Sequence, residues 1–126
     1  MFEITRLHHA SLIVRDIEQA LAFYRDLLGL AVETGRPDLG YPGAWLDLGS
    51  GQQLHLLEVD NPDPIENRPE HGGRDRHLAF SVKSLNFLEG ELNNAQIPYT
   101  LSRSGRAALF CRDPDGNTLE FIGQKT

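Results

Sequence analysis

The sequence predicts an α+β domain in which one strand–helix–strand–strand–strand plan is used twice. Three observations carry that expectation. Each half holds one amphipathic helical pattern, preceded by a short apolar run and followed by three more. A polar, Pro- and Gly-rich stretch separates the halves. A histidine stands seven residues ahead of the helix cap in both, His9 before Asp16 and His77 before Ser84.

The elements follow in order. LHHASLIV, Leu7 to Val14, is short, apolar and bounded by charge, the pattern of a buried strand. Asp16 then caps a helix whose apolar positions Ile17, Ala20, Leu21, Tyr24, Leu27 and Leu28 keep the i, i+3, i+4, i+7 spacing. Gln19 holds the capping-box position and Gly29 the stop. Strands are expected around Leu30–Thr34, Ala44–Leu48 and Gln53–Val59. Loops built on Arg36-Pro37-Asp38, Tyr41-Pro42-Gly43 and Gly49-Ser50-Gly51 divide them. Asn61 to Arg76 has three prolines, two glycines and a single apolar residue, so it reads as a connection. The order then repeats with strand His77–Val82, a helix capped by Ser84 carrying Leu85, Leu88 and Leu92, and strands near Tyr99–Leu101, Ala107–Cys111 and Thr118–Ile122. Between the last two, Asp113-Pro114-Asp115-Gly116 is strong turn chemistry. The predicted organisation is one domain over 1–126, with module one at about 5–60, a linker at 61–76 and module two at about 77–123.

Bulk properties narrow the function. With 126 residues, 40% hydrophobic and 24% charged, the chain has the composition of an ordinary globular domain. A net charge of −6 argues against an electrostatic nucleic-acid binder, which needs a basic face. The single cysteine, Cys111, has no internal disulfide partner and fits a reducing compartment. MFEITRLHH lacks a signal-peptide layout, and no apolar run approaches membrane-spanning length. The expectation is a soluble, cytoplasmic domain with a small-molecule substrate and neither nucleic acid nor membrane as partner.

The chemistry sits on the strands that close each half. QLHLLEV places His55 between two leucines, and TLEFI places Glu120 between Leu119 and Phe121. His9 and His55 are 46 residues apart, and His77 and Glu120 are 43 apart, so the repeat makes them pseudo-equivalent pairs. Three imidazoles and one carboxylate, each on a strand, make a donor set for a divalent metal. Taken singly, a strand histidine is more often half-exposed or internally bonded, and a lone glutamate more often solvated. Their symmetry is what sets these four apart. His8 is expected on the face opposite His9, Glu58 out of phase with His55, and His71 and Arg74-Asp75-Arg76 in solvent. Cys111 reads as a small buried hydrophobe, Phe23, Tyr24 and Trp45 as core aromatics, and Gly49–Gly51 as a hairpin turn.

HHASLIVRDIEQALAFYRDLLGL, RHLAFSV and RDPDGNTLEF, in that order, resemble the landmark segments of the vicinal oxygen chelate superfamily. That group contains glyoxalase I, methylmalonyl-CoA epimerase, extradiol dioxygenases, fosfomycin-resistance proteins and bleomycin-binding proteins. The resemblance covers essentially the whole chain. It implies paired βαβββ modules whose curled mixed sheets surround a metal-centred cavity, with ligands on the first and last strands of each module. By position these are His9, His55, His77 and Glu120. It also implies a homodimer, with the cavity in several short members completed across the subunit interface.

Family members use the metal to bind vicinal oxygens and to stabilise developing negative charge on them. A filled position at His55 favours glyoxalase- or epimerase-like proton transfer over extradiol dioxygenase and fosfomycin-resistance chemistry, which the resemblance associates with three ligands. A complete set also argues against the metal-free drug-binding members. Where glyoxalase I has a glutamate, and epimerases often a glutamine, this chain has His55, so the proton-shuttling role falls mainly to Glu120, by transient release from the metal, or to metal-bound hydroxide. Glyoxalase I tends to carry a glutathione-binding arginine four residues after its first ligand; here that residue is Ile13. Ser11 shares the inward parity of His9, and Arg103 or Arg106 is a candidate replacement for the arginine. The expected function is a metal-dependent, glyoxalase I-like lyase or isomerase acting on a small α-oxo or thiol-conjugated substrate. The alternatives are an extradiol-type dioxygenase and a non-catalytic binding protein. The metal would be zinc, nickel, cobalt or iron(II).

Overall fold

A computed structural model describes residues 1–124 and divides the chain into two compact units, the first ending at Asp63 and the second beginning at Pro64. The division falls inside the Pro/Gly-rich linker.

In the first unit, β1 (His9–Val14) leads to α1 (Ile17–Leu21), then β2 (Ala31–Val32), β3 (Gly43–Asp47) and β4 (Gln53–Glu58). The strands form a sheet of order β1-β4-β3-β2, in which β1 runs parallel to β4 and the other neighbours are antiparallel. The second unit repeats this topology. It comprises β5 (His77–Ser84), α2 (Leu85–Asn94), β6 (Tyr99–Leu101), β7 (Ala108–Arg112) and β8 (Thr118–Gln124), in the order β5-β8-β7-β6. Two four-stranded mixed sheets with few helices make the architecture α+β, as the repeated plan predicts.

Strand alternation sorts each sheet into two faces. In the first unit Ala44, Leu46, Leu54 and Leu56 are buried, as are Ala20, Leu21, Phe23 and Tyr24 of the helical segment. His9, Ser11, Trp45, Gln53 and His55 take the opposite parity. In the second unit Leu109, Cys111, Leu119 and Phe121 form the core with Leu85 and Leu92 of α2. His77, Ala79, Phe110 and Glu120 share the other face.

Both helices begin where their caps predict. The Asp16 carboxylate accepts from the backbone N–H of Glu18 and Gln19, and the Ser84 hydroxyl accepts from that of Phe87. The first helix departs from its expected form. Beyond Leu21 it widens into a π-helical turn over Ala22–Leu27, with Leu28 N–H bonding the Phe23 carbonyl. Phe23 and Tyr24 are adjacent in sequence yet both buried, their rings edge to face at 4.9 Å, and the wider turn lets both reach the core. β2 is also shorter than expected, two exposed residues in place of five. Pro37, which lacks a donor, and the Arg36-Pro37-Asp38 loop follow it, leaving little chain to pair.

Two glycines are required by geometry. Gly116 takes φ +81° in the Asp113 turn, where the Asp113 carboxylate gathers the backbone N–H groups of Asp115 and Asn117. Gly123 faces the irregularity in β5 between Val82 and Ser84, and a Cβ there would run into the Val82 carbonyl oxygen. Among the described residues no helix is long and apolar enough to cross a membrane.

Candidate functional site

Parallel pairing puts the four candidate ligands in matching places. His55 is the register partner of Ser11, two residues beyond His9. Glu120 is the register partner of Ala79, two residues beyond His77. In each module, then, one candidate ligand lies on the edge strand and the other on its neighbour, offset by the same two residues on the same face. Each module brings two of the four together. Among the described residues no group of three or more His, Cys, Asp or Glu side chains gathers into one cluster.

In the first module His9 and His55 stack with ring centres 4.0 Å apart and planes 14° from parallel. Trp45, the register partner of His55 on β3, stacks on its other side at 4.5 Å. Expected to pack the core, this tryptophan lies on the histidine face, because its parity matches His55 and opposes Leu46. His55 is nearly buried, and its Nε2 lies 2.8 Å from the Gln53 side-chain oxygen. An amide oxygen can only accept, so Nε2 carries the proton and Nδ1 keeps the lone pair. Burial, followed by electrostatic interaction with His9, His8 and Arg36, lowers the His55 pKa from its ordinary value. A neutral imidazole is the form a metal requires. His8, expected to face away, precedes the first paired residue of β1, and its Nδ1 lies 2.9 Å from Nδ1 of His9. Glu58 does face away, accepting from the Ile17 N–H at the start of α1.

The second module is more sharply organised. Glu120 is 2% exposed, a buried carboxylate that needs partners. Its Oε1 lies 3.2 Å from His77 Nε2 and its Oε2 lies 3.4 Å from an Arg106 guanidinium nitrogen. His77 Nδ1 lies 2.8 Å from the backbone carbonyl oxygen of Asp75. That carbonyl can only accept, so Nδ1 holds the proton, and in a neutral ring Nε2 presents a lone pair to Glu120. Two electron-rich atoms face each other, an arrangement that calls for a positive species between them, a proton or a metal cation. Metal bonds of ~2.0–2.1 Å to nitrogen and oxygen in a tetrahedral site leave donors about 3.3 Å apart, close to the spacing seen. A histidine oriented through its remote nitrogen by a carbonyl is also the usual support for a metal ligand. The donors fit a divalent metal.

Asp75 was expected in solvent with its flanking arginines, but its carboxylate is held at the linker's end. Arg68 forms a fork onto it at 2.5 and 3.0 Å, and Arg112 Nη1 donates at 2.8 Å. Arg112 also donates to the Pro69 and Gly116 carbonyls, tying the linker to β7 and the turn. The Asp75 pKa is lowered well below the usual carboxylate range, chiefly by Arg68, with Arg112 and the Arg76 N–H adding to it. His71, likewise expected in solvent, accepts from Gly73 N–H and sets its ring edge-on against Phe110. Phe110 also meets the His77 ring edge-on at 5.2 Å. On this side of the module a cleft of about 320 Å³ is lined by Tyr99, Thr100, Phe110, Arg112 and Thr118 among others. Cys111 is buried, and desolvation pushes its thiol up to about 12, consistent with an inert core residue.

Two tandem βαβββ modules, each pairing two candidate metal ligands on one face of its sheet, are the architecture of the vicinal oxygen chelate class. The chain belongs to the Glyoxalase/Bleomycin resistance protein/Dioxygenase superfamily, whose family model matches residues 6–121. It is 32% identical over 124 residues to Glyoxylase I 4 of Arabidopsis thaliana, covering 94% of this chain and 70% of that protein. To human mitochondrial methylmalonyl-CoA epimerase it is 28% identical over 134 residues, covering 98% and 76%. A glyoxalase family protein of Bacillus anthracis superposes with a TM-score of 0.80 at 24% identity, over 99% of both chains.

Proposed function

We propose that the protein is a metal-dependent, glyoxalase I-like lyase or isomerase that moves a proton at a carbon next to a carbonyl. The observation that carries this reading is the buried Glu120 carboxylate set against the tautomer-fixed Nε2 of His77. Relatives named for glyoxalase I and for an epimerase support the same reaction type. His9, His55, His77 and Glu120 would hold one divalent ion from zinc, nickel, cobalt or iron(II), in an assembly of two chains. Bound there, the ion would polarise the substrate's vicinal oxygens and stabilise negative charge developing on them.

The chain's own groups divide the remaining work. Asp75 keeps the His77 proton on Nδ1, so Nε2 stays a ligand. Gln53 does the same for His55 by accepting from Nε2. Glu120 takes the substrate proton on Oε2, the oxygen that faces Arg106 at the longer distance of 3.4 Å. Trp45 and Phe110 flank the histidines with apolar surface and limit water around them.

The test is incubation of metal-loaded protein with the hemithioacetals of methylglyoxal and small thiols in deuterated water. Deuterium should appear at the carbon next to the carbonyl, and Glu120→Gln should lower that rate by roughly 10²–10⁴. Undiminished exchange in Glu120→Gln would overturn the role of Glu120. The same sample in light scattering should give about 28 kDa, two chains; a strict monomer would contradict the two-chain assembly.

A further inference from the structure

Arg36 is a half-buried cation on the histidine-bearing side of module one. Among the described residues it has no carboxylate partner. One guanidinium nitrogen donates to the Tyr41 carbonyl at 2.9 Å, and the group lies over the Tyr41 ring with its central carbon 5.3 Å from the ring centre. A guanidinium has five N–H donors, so most of its capacity is unused. Partial burial of a cation without a counter-anion is unfavourable, and a site that keeps one there is poised for an anion.

Its seat is built by a missing side chain. Gly43 has the parity of Trp45; a Cβ there would first meet the Leu56 carbonyl oxygen of the neighbouring strand, and would also lie 2.8 Å from an Arg36 guanidinium nitrogen and 3.2 Å from its central carbon. Glycine therefore makes the shelf on which the guanidinium rests. Along the same cross-strand row the register partner of Gly43 is Leu57, and that of Leu57 is Ile13, both half-buried. The next row on the same face is Trp45, His55 and Ser11, two residues along, or about 7 Å away. The Arg36 charge is among those felt by His55, which agrees with that proximity.

We propose that Arg36 is the substrate-anion anchor of this face, binding a substrate carboxylate roughly 7 Å along the sheet from the row that holds His55. The proposal rests on the metal-centred reading above and adds the substrate class, a chelating α-oxo head joined through a short apolar spacer over Leu57 and Ile13 to a carboxylate. One guanidinium balances one negative charge, which a carboxylate carries and a phosphate monoester exceeds.

Two arms test it. In metal-free protein the nitrogen-15 signal of Arg36 Nε–H should shift on titration with glutarate and not with the neutral glutaramide. No shift, or the same shift with both, would overturn the anchor whatever the metal does. In zinc-loaded protein, calorimetry should show 2-oxoglutarate binding about tenfold tighter than 2-oxopentanoate, which has the same head without the distal carboxylate. Arg36→Met should erase that preference with zinc uptake unchanged, and Arg36→Lys should keep part of it. A preference that survives in Arg36→Met would also overturn the anchor. Failure to take up zinc would count against the metal reading alone, with the glutarate arm still deciding Arg36.

Discussion

Asp75 acts on the site through its backbone and on the fold through its side chain. Its carbonyl fixes the proton of His77, while its carboxylate, 7% exposed, is clamped between Arg68 and Arg112. The pKa of that carboxyl is depressed in the folded chain relative to the ordinary 3.8, so folding favours its charged form. The resulting stabilisation is complete above the unfolded value and is lost as pH falls below it toward the folded one. Asp75→Asn should therefore cost about 2–4 kcal/mol near neutral pH, with the gap to wild type narrowing below about pH 4. Urea denaturation at several pH values measures this, and a gap independent of pH would remove the charge from the explanation. The charged run around Asp75 reads as solvated because nothing in the linear pattern marks Arg68, seven residues back in the polar linker, as its partner, and Arg112 pairs with it across 37 residues, which leaves no local signal. Arg36 was equally illegible, since its place depends on the absent side chain of Gly43.

At the scale of elements, the helices and strands with clear periodicity or caps appear where the sequence places them, including Tyr99–Leu101 to the residue. The departures have local causes. The π-turn of the first helix follows from two adjacent aromatics that both need the core, a demand that an i, i+3, i+4 pattern does not express. The extra length of β5 and β8 depends on Gly123, whose value lies in what a side chain there would meet. Gly123→Ala would push a methyl into the Val82 carbonyl and should destabilise the module by roughly 1–3 kcal/mol, the usual range for overpacking. Thermal unfolding beside Gly90→Ala, a helical glycine with open space around its Cβ, isolates the effect. Equal behaviour of the two variants would mean that the strand irregularity absorbs the methyl.

For the whole molecule, the informative feature is the repeat. His9 and His77 were legible as equivalents from a shared seven-residue offset, and the register of β1 with β4 and of β5 with β8 gives the same geometric relation in both modules. Symmetry could point to ligand positions without naming the groups that orient them. Gln53, Asp75, Trp45 and Phe110 act through contacts that the linear pattern does not encode. The central claim is that the two pairs serve one divalent metal. Elemental analysis of protein purified without a metal-affinity tag, wild type beside Glu120→Ala, tests it most directly. The account predicts about one divalent ion per chain in the wild type and its loss in the variant. A wild type that takes up no metal even after reconstitution, or a Glu120→Ala variant that retains it in full, would contradict the account.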